Sequence, residues 1–121
     1  MDIEGIENEI VRNEKNCIVF MSARFCKTCK TLNPAFTRMA RMNQENGNNN
    51  VSFVKAETSG ASGKKLAKHV SVIAVPSFVF YREGKILGQA SVSKLPSRKI
   101  DKALELLASG SDWDYSIMDE E

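Results

Sequence analysis

Three cysteines, three prolines, one histidine and one tryptophan in 121 residues leave little room for several chemistries. Three cysteines are odd in number and too few for a disulfide framework, which points to a reducing compartment and not to secretion. No apolar run approaches the roughly 20 residues that a bilayer-crossing helix needs. The opening Met1-Asp2-Ile3-Glu4-Gly5 is acidic and polar, so it does not read as a secretory signal. The basic residues are scattered without interleaved aromatics, which argues against a nucleic-acid surface.

What is present suits one globular domain with a modest core: 42% of the residues are hydrophobic. The net charge of +2 hides an asymmetry, because all 17 basic residues and 10 of the 15 acidic ones lie in 1–111, giving that part +7. A basic body speeds encounter with acidic partners. The five remaining acids follow Ser111, and residues 111–121 read as an acidic, flexible tail on a domain spanning 1–110.

Cys26 and Cys29 are the most informative pair. Upstream, Cys17-Ile18-Val19-Phe20-Met21 reads as a buried strand; downstream, Leu32, Ala35, Phe36, Met39 and Ala40 repeat at helical spacing. The pair therefore lies where a strand hands over to a helix N-terminus. Unpaired amides and the helix dipole there favour a thiolate, and two thiols at that spacing close a disulfide within one helical turn. This placement predicts dithiol redox chemistry.

The rest of the chain supplies a frame. Residues 2–15 form an amphipathic helix candidate with Ile3, Ile6 and Ile10 on one face. Strands are expected over about 16–22, Val51–Ala56, Ser77–Tyr81 and Ile86–Val92, the last two joined by a turn at Arg82-Glu83-Gly84-Lys85. Helices are expected from Cys26 to about Asn43, kinked at Pro34, over Lys64–Val70, and over about 97–109 with a stop at Gly110. The order is a helix and then β-α-β-α-β-β-α. That makes an α/β sandwich with helices on both faces of one mixed sheet of about four strands.

That order, with a C-x-x-C after the first core strand, resembles the thioredoxin superfamily over about residues 3–109. Cys26-Lys27-Thr28-Cys29 matches the redox motif, and Pro34, five residues past Cys29, matches the proline of the active-site helix. Phe53-Val54-Lys55 matches a strand ending in lysine near the site. Val75-Pro76-Ser77 matches the family's Ile-Pro-Thr, whose proline is cis and faces the redox pair. Departures stand beside these matches. Phe25 replaces the family's tryptophan, Lys27-Thr28 its Gly-Pro, and Phe20 its buried Asp six residues before the first cysteine. The strand that normally precedes the first helix is not evident, and 58–63 is about two residues long for the family.

The resemblance implies a thioredoxin fold and a protein-disulfide reductase. Cys26 is the expected nucleophile and Cys29 the resolving thiol, with Lys27 and Lys55 favouring the thiolate. Phe25, Val75 and Pro76 are the expected substrate-binding residues, with Ala74 on the same apolar rim. Phe20 leaves Cys29 without the family's proton acceptor, a place that Glu57 fills if its strand ends favourably. No cofactor is implied; the expected partners are disulfide-containing proteins and an electron-donating reductase or glutathione. A monomer in the cytoplasm or an organelle interior is expected, with no metal, nucleic acid or membrane. The Lys-Thr spacer fits neither the Gly-Pro reductase nor the Gly-His isomerase pattern, so direction stays open. A redox-sensing or docking module is the alternative. A zinc or cluster site ranks last, since one chain offers Cys26, Cys29 and only distant Cys17 or His69. Cys17 reads as a core thiol, His69 as a helix-end residue, and Met39 and Met42 as filler. Trp113 and Tyr115 either fold back or dock a partner.

Overall fold

The computed structural model describes residues 3–47, 50–58, 65, 68 and 75–118. Its organising element is β1 (Asn16–Ser22), whose Ile18-Val19-Phe20-Met21 run is buried on both faces of the sheet. β-branched and aromatic side chains favour that two-sided environment. Among the described residues the sheet has four strands in the order β2-β1-β3-β4. β2 (Val51–Glu57) runs parallel to β1, while β3 (Ser77–Arg82) and β4 (Lys85–Ala90) are antiparallel to their neighbours. A parallel pair requires a crossover, which the long helix α2 (Lys27–Glu45, with Pro34 inside it) supplies.

Side-chain alternation sorts the strands onto two cores. Ile18, Phe20 and Phe53 face α2 and α3 (Arg98–Ser109), and pack with Leu32, Phe36, Ile100 and Leu107. Phe20 stacks on Phe78 at 5.1 Å between ring centroids and meets Phe36 at 5.3 Å. The other face carries Cys17, Val19, Met21, Val54 and Ala56, closed by Ile6 and Ile10. The sandwich with helices on both faces is thus present.

Boundaries differ from the sequence reading at both ends of the chain. The N-terminal helix is shorter than residues 2–15. α1 (Ile3–Ile6) passes into a π-type turn at Glu7–Val11, where Arg12 N–H donates to Glu7 O at 2.9 Å. Glu14 then takes φ +50° and ends it. The β3–β4 turn uses Glu83 and Gly84 at φ +50° and +79°, the conformation that tight hairpins prefer. A Cβ on Gly84 would lie 2.6 Å from Val11 O, so the hairpin tip and the N-terminal turn meet backbone to backbone.

β4 ends at Ala90, two residues before the expected Val92. α3 stops at Gly110 (φ +72°), whose N–H donates to Leu106 O at 3.1 Å. Of the expected tail, residues 111–118 are described, and Trp113 and Ile117 pack on the body while Ser111, Asp112, Tyr115 and Ser116 are exposed. The Trp113 ring sits 5.3 Å from Phe80 with the Arg82 guanidinium over it, and Ile117 is buried. The helix expected over Lys64–Val70 falls mostly outside the described residues, among which Lys65 and Lys68 are helical and exposed.

Candidate active site

Three strand ends meet at one pole of the sheet. Ser22 closes β1 opposite Glu57 of β2, and Met21 lies opposite Ser77, the first residue of β3. Crevices at the carboxyl ends of parallel strands are where α/β sheets bind ligands. The chain leaves β1 through Ala23–Phe25 and enters α2 there, so both motif cysteines stand at this pole.

Cys26 is the N-cap of α2. Its backbone is extended (φ −83°, ψ 107°), and its Sγ accepts the Cys29 N–H at 3.1 Å, where an oxygen side chain usually sits. Cys29 lies one turn along, and a disulfide joins the pair across 5.2 Å between Cα atoms. The two sulfurs are not equivalent: Cys26 is half-buried, whereas Cys29 is 2% exposed and part of the aromatic core. The geometry can cycle between a disulfide and a dithiol with one accessible and one sheltered sulfur.

The other expected residues distribute around this pair. Phe25 is 88% exposed, a large apolar ring held in solvent beside Cys26. Val75 and Pro76 are half-buried before β3, Val75 packs on the same core as Cys26, and their peptide bond is cis. Lys27 is exposed at the first turn of α2. Lys55 is not beside the sulfurs: its Nζ donates to Thr37 Oγ1, eight residues past Cys29 and so roughly 12 Å along the helix. Ala74 and His69 lie outside the described residues. Phe20 fills its position with a ring that is 1% exposed.

A cavity of about 220 Å³ adjoins Cys29, lined by Phe20, Ser22, Arg24, Lys30, Asn33 and Glu57. Arg24 Nε lies 3.6 Å from Glu57 Oε1, with both side chains largely exposed. Ser22 and Asn33 carry no motif signal. Strand parity is the signal that finds Glu57, since it shares the face of Phe53 and Lys55. A larger apolar cavity of about 430 Å³, with Met39, Met42, Leu95 and Leu104 in its walls, lies between α2 and α3 away from the thiols. Among the described residues no group of three His, Cys, Asp or Glu side chains converges to hold a metal. Nor, among them, is any helix long and apolar enough to cross a membrane. The third cysteine is isolated: burial pushes the Cys17 thiol up to about 12, with Lys15 opposing weakly.

The family model described as Thioredoxin matches residues 4–105. Thioredoxin H2 of Arabidopsis thaliana is 35% identical over 78 residues, 64% of this chain and 53% of that protein. Chloroplastic Thioredoxin F of Oryza sativa subsp. japonica is 27% identical over 95 residues, 78% of this chain and 46% of that protein. The chain thus spans about half the length of these curated relatives. The thioredoxin of Fasciola hepatica superposes with a TM-score of 0.68 at 24% identity, covering 87% of this chain and 90% of that one. The thioredoxin of Malassezia sympodialis gives 0.72 at 19% identity, covering 88% of each. Sequence, fold and the placement of the disulfide-bonded Cys26 and Cys29 at the start of α2 agree: the chain belongs to the thioredoxin family.

Proposed function

We propose that the protein reduces disulfides in partner proteins. The asymmetry of the pair carries this reading: Cys26 is accessible and capped by an amide that stabilises negative charge on sulfur, and Cys29 is sheltered one turn away. In the reduced protein the Cys26 thiolate attacks a substrate disulfide and forms a mixed disulfide. Cys29 then attacks Cys26, releasing reduced substrate and closing the Cys26–Cys29 bond. Phe25, Val75 and Pro76 form the rim that receives the substrate segment, and Lys27 adds positive charge at the helix end. Lys55 acts on the pair only at longer range, since Thr37 holds its amine.

A separate reductase or glutathione returns the electrons, in a reducing compartment that keeps Cys17 free. A monomer built on residues 1–110 carries the chemistry. The test is trapping. Reduced Cys29→Ser, mixed with a disulfide-bonded test protein, accumulates a covalent complex through Cys26 and loses turnover, while Cys26→Ser forms no complex. A Cys29→Ser protein that neither traps nor loses turnover refutes the reading. Retained partner capture by the double serine variant would instead favour a docking module.

A further inference from the structure

Phe20 is packed between Phe36 and Phe78 and offers no acceptor for the proton that Cys29 must lose before it can attack. Strand geometry brings a carboxylate to the same place from the neighbouring strand. β1 and β2 are parallel, with Phe20 opposite Lys55 and Ser22 opposite Glu57. Residues two apart on a strand share a face, so Glu57 stands on the face that carries Phe20 and α2, one step nearer the cysteines than Lys55. It lines the cavity of about 220 Å³ together with Cys29. Thr58 pins this strand end, donating from N–H and Oγ1 to Ser22 O at 2.7 and 3.1 Å. The charged groups facing the cavity are Glu57, Arg24 from the loop after β1, with its Nε 3.6 Å from Glu57, and Lys30 from α2.

We propose that Glu57 is the proton acceptor for Cys29 during resolution, a role that rests on the reductase reading above. In the mixed disulfide, Cys26 Sγ is bonded to the substrate sulfur and Cys29 is a thiol. The Cys29 proton passes through the solvent-open cavity to the Glu57 carboxylate, and the resulting thiolate attacks Cys26 Sγ. The Cys26–Cys29 bond forms as the bond to substrate breaks. Its electron pair leaves on the substrate sulfur, which takes up a proton from Glu57. The protein pair is oxidised and the substrate is reduced.

The experiment mixes the reduced full chain, in a Cys17→Ala background, with dithiobis(nitrobenzoate) in a stopped-flow instrument. A first coloured thiolate reports attack by Cys26, and a second reports release by Cys29. Glu57→Gln lowers the ratio of second to first rate about tenfold and flattens the acidic limb of the second rate's pH profile. Formate restores the second rate in Glu57→Ala, because truncation leaves space for a small carboxylate. An unchanged ratio overturns the proposal. So does a slowing that neither alters the pH profile nor responds to formate, which would make Glu57 a merely structural residue. Loss of the first release is a separate failure, that of the oxidoreductase reading itself.

Discussion

The two ends of β1 hold the same functional group in opposite conditions. At its start, Cys17 is fully buried in the cluster that holds Ile6, Ile10 and Tyr81, where burial outweighs the opposing charge of Lys15. Past its end, Cys26 meets an amide N–H, a helix terminus and solvent. Burial drives the Cys17 thiol up to about 12 and also lifts its neighbour Tyr81 to about 12, where Cys17 and Glu7 add to the rise. The difference teaches that reactivity here belongs to the strand's pole and not to the residue type.

The strongest test of that contrast attacks what separates the two environments. Phe20→Ala removes the ring that links β1 to Phe36 and Phe78, and should cost about 3–5 kcal/mol in urea unfolding. A loss below about 1 kcal/mol would mean that the aromatic face does not hold the site. Next, in the folded, reduced protein, iodoacetamide should modify Cys17 at least about a hundredfold more slowly than Cys26, because only thiolate reacts. Comparable rates by mass spectrometry would erase the comparison.

Gly84→Ala sharpens it from the other side. The new Cβ meets Val11 O at 2.6 Å at a φ of +79°, so the N-terminal turn must move. A loss of about 2 kcal/mol is expected, with faster alkylation of Cys17 and unchanged alkylation of Cys26. The last test is in pH. The unfolded chain releases the Cys17 proton above 9.0, whereas the folded chain holds it until about 12. The stability from the neutral thiol is therefore complete below pH 9.0 and lost as pH rises toward about 12. Cys17→Ala should keep turnover and cost about 1 kcal/mol at neutral pH. Its deficit against wild type should shrink by at most about 1.4 kcal/mol per pH unit across that window, and a constant deficit would refute the burial argument.

Much of this was legible in the chain. The buried run 17–21, the helical repeat from Leu32 to Ala40, and the turn at Glu83-Gly84 are local patterns, and local physics places them. The cysteine pair follows from their junction. What was not legible depends on register between distant segments. Glu57 was legible as a candidate carboxylate at its strand end, but its place in the cavity beside Cys29 follows from the pairing of Ser22 with Glu57. Lys55 reads as a neighbour of the thiols by motif, yet Thr37 on α2 captures its amine. The packing of Trp113 on Phe80 was equally hidden, since acids surround it in sequence while its partner lies in β3.

The meeting of the hairpin tip with the N-terminal turn has a kinetic consequence. Glu83 N–H donates to Asn16 Oδ1 across 67 residues of chain, and Gly84 N–H reaches Lys15 O beside it. Closing so long a loop gains little until β1 and β3 are already paired. This pole should therefore form after the rate-limiting barrier. Substitutions there should accelerate unfolding and leave the refolding rate nearly untouched, which makes the tip a clock for the last step of assembly.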